Sequence, residues 1–377
     1  MSYDNYDYEE AYRHSQYRRK RAIAMKKKRK QILKKRLMLL ISVAAVVVIA
    51  VLVISITSSI RKSAKSKEAF ASDITDETNE ETQTQEETTP SLIYSQMAAD
   101  YKDLSSDSNI GSPYAALIDV TNHKIIAGKG ATEKIYPASM TKVMTLIVVT
   151  ENLKDMSQTY TFGFEMLNRL YIEEASRAGF EQDETVDVED LLYGLILPSG
   201  ADAAEALAIM VAGSNEDFAK LMNQKCEELG LKNTHFANPS GLYDDNQYTT
   251  PAEMAMIMEY AMQDELRARV LGTYQYTTKA TTQHPQGIPL TSTMYSRIYG
   301  NEAPGVKVTG GKTGYVNESG SCLVSYAVTD NGHAYAFCTS GATYKWAPVY
   351  DEIYVYKNLI PDSEKNIETA STAKVNN

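Results

Sequence analysis

No charged residue stands between Leu37 and Ile56, and the residues just before this stretch are densely basic. Twenty uncharged, largely apolar residues at 1.5 Å each span roughly 30 Å as a helix, the thickness of a bilayer's hydrocarbon core. This predicts a transmembrane helix over 37–56. Residues 1–36 carry 13 Lys/Arg against 4 Asp/Glu, with runs at Arg18–Arg21, Lys26–Lys30 and Lys34–Arg36. A cleaved secretory signal would have a shorter apolar core and a small-residue cleavage site. An uncleaved anchor is therefore expected, with the basic tail of residues 1–36 in the cytoplasm and the rest of the chain outside. The tail's first 17 residues are polar and tyrosine-rich, the composition of a disordered segment.

Past the apolar stretch the chain carries 25 basic and 44 acidic residues. So acidic a body excludes nucleic acid as a partner, because phosphate binding needs a basic face. Residues 57–105, with ETNEETQTQEETTP among them, are too polar to bury a core and predict a disordered stalk. Residues 106–360 predict a single α+β domain. YAALIDVTNHKIIAGKG reads as a hairpin turning near Asn122. SMTKVMTLIVVTENL reads as a buried helix behind Pro137, and Asp187–Leu197, Ala203–Val211, Pro251–Met262 and Trp346–Leu359 as further helices. Within 306–341, VKVTGGKTGYV reads as a strand and SCLVSYAVT-DNG-HAYAFCTS as a hairpin, and residues 361–377 predict a disordered tail. Cys226, Cys322 and Cys338 are too few for a disulfide framework and read as small buried hydrophobes. The five His lack metal-ligand spacing, so neither a metal nor any other cofactor is expected.

Three short motifs carry chemistry. In Ser139-Met140-Thr141-Lys142, positions i and i+3 share one helix face, so hydroxyl and amine can meet. A serine is a poor nucleophile until a neighbour removes its proton, and a lysine can do so if burial depresses its pKa. The same spacing recurs at Ser59-Ile60-Arg61-Lys62 beside the apolar stretch, where it means nothing, so this motif alone is weak. Lys312-Thr313-Gly314 stands in a strand context after Gly310-Gly311. It offers charge, a hydroxyl and an unobstructed backbone to an extended substrate ending in a carboxylate. Ser199-Gly200-Ala201 follows Pro198 between two helices, where a loop serine can join a proton relay or simply cap the next helix.

In this order the motifs resemble the serine–x–x–lysine, serine–x–asparagine and lysine–threonine–glycine set of penicillin-binding proteins and serine β-lactamases. The longer strings Tyr136–Lys142, Leu197–Gly200, Asn238–Leu242 and Gly310–Tyr315 resemble the D-alanyl-D-alanine carboxypeptidases, over roughly residues 106–360. The resemblance implies a β-lactamase/transpeptidase-like fold, a five-stranded antiparallel sheet flanked by helices with a helical subdomain. It implies catalysis by Ser139, Lys142 and Ser199, with substrate held by Lys312, Thr313, Gly314 and Tyr315. The N–H groups of Ser139 and Tyr315 would form the oxyanion hole. The implied partners are the peptidoglycan stem peptide, losing its terminal D-alanine, and β-lactams as covalent inhibitors. Three departures stand out. Ala201 replaces the asparagine of the second motif, with Asp202, its neighbour, expected to point away from Lys142. Val316 stands where a threonine is common. Only 63 residues follow Gly314, too few for the family's frequent C-terminal β-domain. A β-lactamase is a competing reading, since Glu165-Met166-Leu167-Asn168 is similar to one class's glutamate–x–x–leucine–asparagine element, one residue short. An inactive scaffold is another, because of Ala201.

Overall fold

The computed structural model describes residues 92–153 and 155–365. The expected transmembrane helix, the basic tail, most of the stalk and the Ser59–Lys62 motif lie outside the described residues. Among those described, no helix is long and apolar enough to cross a membrane.

A six-stranded sheet organises the body, in the order β1-β3-β2-β10-β9-β8. Its strands are β1 (Gln96–Asp103), β2 (Tyr114–Asp119), β3 (Lys124–Lys129), β8 (Val306–Val316), β9 (Gly320–Thr329) and β10 (Ala334–Ala342). The five strands from β3 to β8 pair antiparallel throughout, as expected. The sixth, β1, corrects the sequence reading: it joins β3 in parallel, inside what composition marks as a stalk. Its residues are mostly exposed, so it lacks the apolar alternation that would announce a strand. Main-chain pairing along the edge of β3 holds it, which also shields that edge. Upstream, Tyr94 donates to Glu253 at 3.1 Å. Order also runs past the predicted boundary at the other end. Asn331 Nδ2 donates to the Ser363 carbonyl at 2.8 Å and Lys365 Nζ to the Lys357 carbonyl at 2.7 Å, so residues 361–365 pack on the body.

Both faces of the sheet are covered, and the side-chain alternation shows it. Ala116, Ile118, Cys322, Val324, Ala336 and Cys338 point into one core, and Ala115, Leu117, Leu323, Ala327, Tyr335 and Phe337 into the other. Strands buried on both sides read as nearly continuous apolar runs. The first core is roofed by α1 (Thr141–Asn152) and α6 (Pro251–Ala261), the second by α9 (Ala347–Leu359). All three cysteines are free and buried.

Helix α1 is the pivot. Val143, Met144, Leu146, Ile147, Val148 and Val149 are fully buried. Each contributes about 1.5–3 kcal/mol relative to exposure. Against α1 pack α3 (Val188–Ile196), α4 (Ala201–Ala212) and α5 (Asn215–Glu228), with α2 (Phe164–Ile172) on α4 and the small two-stranded sheet of β4 (Thr159–Thr161) and β5 (Thr185–Asp187) beside α3. This is the expected helical subdomain. Helix α6 starts where its sequence says it should: Pro251 occupies the first turn and the Thr250 side chain accepts from the Glu253 N–H. The helix α7 (Glu265–Leu271), the hairpin of β6 (Gln275–Thr277) and β7 (Pro289–Thr291), and the single turn α8 (Tyr295–Ile298) lead into β8, the free edge of the sheet.

Candidate active site

Ser139 lies not in α1 but in the 3-10 turn Ala138–Met140 that feeds it. In a 3-10 turn residues i and i+3 nearly eclipse, and across this junction Lys142 Nζ donates to Ser139 Oγ at 3.1 Å. The turn is held from two sides. Cys322 of β9 lies beneath it, its Sγ 3.6 Å from the Pro137 carbonyl. On the other side runs the Asn238-Pro239-Ser240-Gly241 loop. Gly241 has φ +79°, and a Cβ there would stand 1.9 Å from the Ala138 carbonyl. Only glycine permits that approach. Asn238 Oδ1 shapes the loop by accepting from the Gly241 N–H at 2.8 Å, and Thr145 of α1 donates to the Pro239 carbonyl at 2.7 Å.

The same loop supplies a contact that side-chain identities do not reveal. Lys142 Nζ donates to the main-chain carbonyl of Ser240. Lys142 is 1 % exposed. Burial pulls its pKa down to about 7, against the opposing pull of Asp202 and Glu205. A lysine so placed is neutral in a substantial fraction at neutral pH and able to accept a proton from the hydroxyl beside it.

Strand β8 brings the third motif to the same spot. A Cβ on Gly314 would lie 2.9 Å from the Ser139 nitrogen and 2.7 Å from Cys322 Sγ. Glycine is therefore the residue that lets the edge strand pass beside the nucleophile turn. Lys312 is also buried, and its amine donates to the Thr313 carbonyl at 2.8 Å. Burial, then the nearby Lys142 ammonium, push its pKa well below the usual lysine value. An arriving carboxylate would reverse that shift by stabilising the charged form. Thr313 pairs its hydroxyl with that of Thr293 at 2.6 Å. Thr293, whose N–H donates to the Leu197 carbonyl at 3.1 Å, ties the edge strand to the second motif. No motif in the sequence marks it. Tyr315 is 62 % exposed near the end of β8.

Ser199 follows α3 in a left-handed conformation, φ +66°. It is 6 % exposed, and its hydroxyl is buried without a hydrogen-bond partner. Ala201 opens α4 and is 2 % exposed. Asp202 accepts from the N–H groups of Ala178 and Gly179, and its charge acts on Lys142. Glu165 is exposed in the first turn of α2.

Comparison with known proteins agrees with this geometry. Residues 100–339 match the D-alanyl-D-alanine carboxypeptidase family. The chain is 32 % identical over 231 residues to the D-alanyl-D-alanine carboxypeptidase DacF of Bacillus subtilis, covering 61 % of this chain and 58 % of that protein. It is 30 % identical over 263 residues to DacA of Haemophilus influenzae, covering 68 % and 62 %. The chain thus spans about six tenths of the length of these relatives. The crystal structure of the Streptomyces K15 DD-transpeptidase superposes with a TM-score of 0.59 at 27 % identity, covering 66 % of this chain and 97 % of that one. The fold is the mixed α/β fold of the penicillin-binding DD-peptidases, and the chain belongs to the D-alanyl-D-alanine carboxypeptidase family.

Proposed function

We propose that this chain is a serine D-alanyl-D-alanine carboxypeptidase, acylated at Ser139 by the peptidoglycan stem peptide and, as a dead end, by penicillin. The observation that carries this reading is the buried amine of Lys142 at 3.1 Å from Ser139 Oγ, beside a free strand edge. The substrate adds to the outer side of β8 by main-chain hydrogen bonds, as peptides do at exposed sheet edges. Lys312 and Thr313 take its terminal carboxylate. Lys142 accepts the Ser139 proton as Oγ attacks the penultimate carbonyl. The N–H groups of Ser139 and Tyr315 receive the developing oxyanion. Ser199 relays the proton to the departing amine, D-alanine leaves, and water releases the acyl group from Ser139. The test is D-alanine release from a stem pentapeptide set against penicillin hydrolysis by the same preparation. Release with slow penicillin turnover supports the carboxypeptidase, and fast penicillin hydrolysis without release supports a β-lactamase.

Ala201 favours a slow enzyme over a fast one. A side chain able to hydrogen-bond substrate and lysine is missing, and one such bond is worth about 0.5–1.5 kcal/mol. The Ser240 carbonyl already holds the lysine, so the loss falls mainly on substrate. Ala201→Asn is expected to raise the second-order acylation rate about 3- to 10-fold, read by stopped flow on a variant whose melting temperature is unchanged. An equal or lower rate would mean that the site does not miss the amide.

We further propose that residues 37–56 anchor the chain in the membrane, with residues 1–36 inside and the catalytic domain outside. The charge asymmetry around the uncharged stretch supports this. Protease added to intact spheroplasts should remove the domain and leave a small membrane-bound stub. A domain protected until lysis would contradict the topology, and a soluble mature protein would favour a cleaved signal.

A further inference from the structure

Ser199 poses a physical problem that Asp202 solves. A left-handed backbone is unfavourable for a residue with a Cβ, by roughly 1–2 kcal/mol. It persists only where its surroundings over-determine it. The Ser199 hydroxyl makes no bond that would hold the residue in place. The residues after it are pinned instead. The Gly200 N–H donates to the Gly194 carbonyl at 2.9 Å and the Ala201 N–H to the Ser176 carbonyl at 2.7 Å. Asp202 closes the clamp. Its Oδ1 accepts from Ala178 N–H at 2.8 Å and Ala203 N–H at 2.9 Å, and its Oδ2 from Gly179 N–H at 3.2 Å. The side chain is fully buried. Its Oδ1 would lie 2.5 Å from a Cβ on Gly200, so carboxylate and turn are in direct contact. A carboxylate without a buried cation is costly to desolvate. Here main-chain N–H groups meet it, and two of them, those of Ala178 and Gly179, belong to the segment that carries the Ser176 acceptor.

We propose that Asp202 is a positioning residue for acylation: by fastening residues 176–179 to the start of α4 it holds Ser199 in its left-handed turn, with the hydroxyl free to face the reaction. This rests on the proposed acylation of Ser139 with Ser199 in the proton relay. It also gives the second motif a reason to work without an asparagine. Order in the turn comes from the fourth residue of Ser199-Gly200-Ala201-Asp202, through the backbone, where the missing amide would have acted from the third.

The test is a double-mutant cycle in the full-length protein. The second-order rate of acylation by a fluorescent penicillin is measured at pH 9, where Lys142 is neutral. The variants are Asp202→Asn, Ser199→Ala and the pair, each checked by its thermal melt. Asparagine keeps the shape of Asp202 but offers one acceptor oxygen where three N–H groups converge. Asp202→Asn should lower the rate at least about tenfold, as expected for a displaced proton-transfer group. In the Ser199→Ala background it should cost less than about twofold, because the group it positions is already gone. Effects that multiply would overturn the inference, marking Asp202 as a general structural residue, as would an Asp202→Asn rate within twofold of wild type. Should Asp202→Asn not fold, Asp202→Ser, which also keeps one acceptor oxygen, enters the same cycle under the same criteria. A wild-type protein that penicillin does not acylate would sink the functional reading itself, and this inference with it.

Discussion

Ser139→Ala is expected to abolish covalent labelling by penicillin entirely, while the protein stays folded. The acyl-enzyme bond forms at Oγ, and a methyl group offers no atom to form it. The substitution removes one hydroxyl from a half-buried turn whose shape is set by Gly241, Cys322 and the Asn238 loop. The cost to stability is therefore about 0.5–1.5 kcal/mol, the value of a single neutral hydrogen bond. Gel fluorescence after exposure to a fluorescent penicillin, with a thermal melt alongside, reads both. Labelling of Ser139→Ala at the wild-type rate would place the nucleophile elsewhere.

Lys142→Ala is expected to slow acylation about 10²- to 10⁴-fold, the usual contribution of a positioned general base. The pH dependence of the wild type carries the same information without mutation. Burial brings the lysine pKa down to about 7, and only the neutral amine can take the serine proton. Below that pKa the neutral fraction falls tenfold per pH unit, so the acylation rate should climb steeply from pH 5 and level off above about 8. Charge on Asp202 and Glu205 opposes the burial effect, so removing either carboxylate should move the midpoint toward lower pH. A rate that is flat between pH 5 and 8, or that falls as pH rises through 7, would rule out Lys142 as the base.

The legible and illegible parts of this protein divide along a physical line. Ser139 and Lys142 are three residues apart, so local backbone geometry alone brings them together, and their pairing could be read directly. Gly314 was legible through its motif, although its reason, the approach of β8 to the Ser139 nitrogen, is a tertiary fact. Strands β2, β9 and β10 announce themselves because burial on both faces demands apolar runs. Strand β1 does not, because its polar residues are held through main-chain hydrogen bonds that leave no side-chain signature. The Ser240 carbonyl on Lys142 is hidden for the same reason, since a carbonyl is common to every residue. Thr293 is hidden by distance along the chain, its bond to Thr313 being made only when β7 and α8 fold back beside β8. The partners of Asp202, the N–H groups of Ala178 and Gly179, belong to a loop that no pattern marks.

The central claim is that one serine, Ser139, becomes acylated. Intact-protein mass spectrometry of the full-length chain after incubation with penicillin, followed by peptide mapping, tests it most directly. The account predicts a single adduct of penicillin mass, carried by the peptide that contains Ser139. No adduct, or an adduct on Ser199, Ser240 or any other residue, would contradict it.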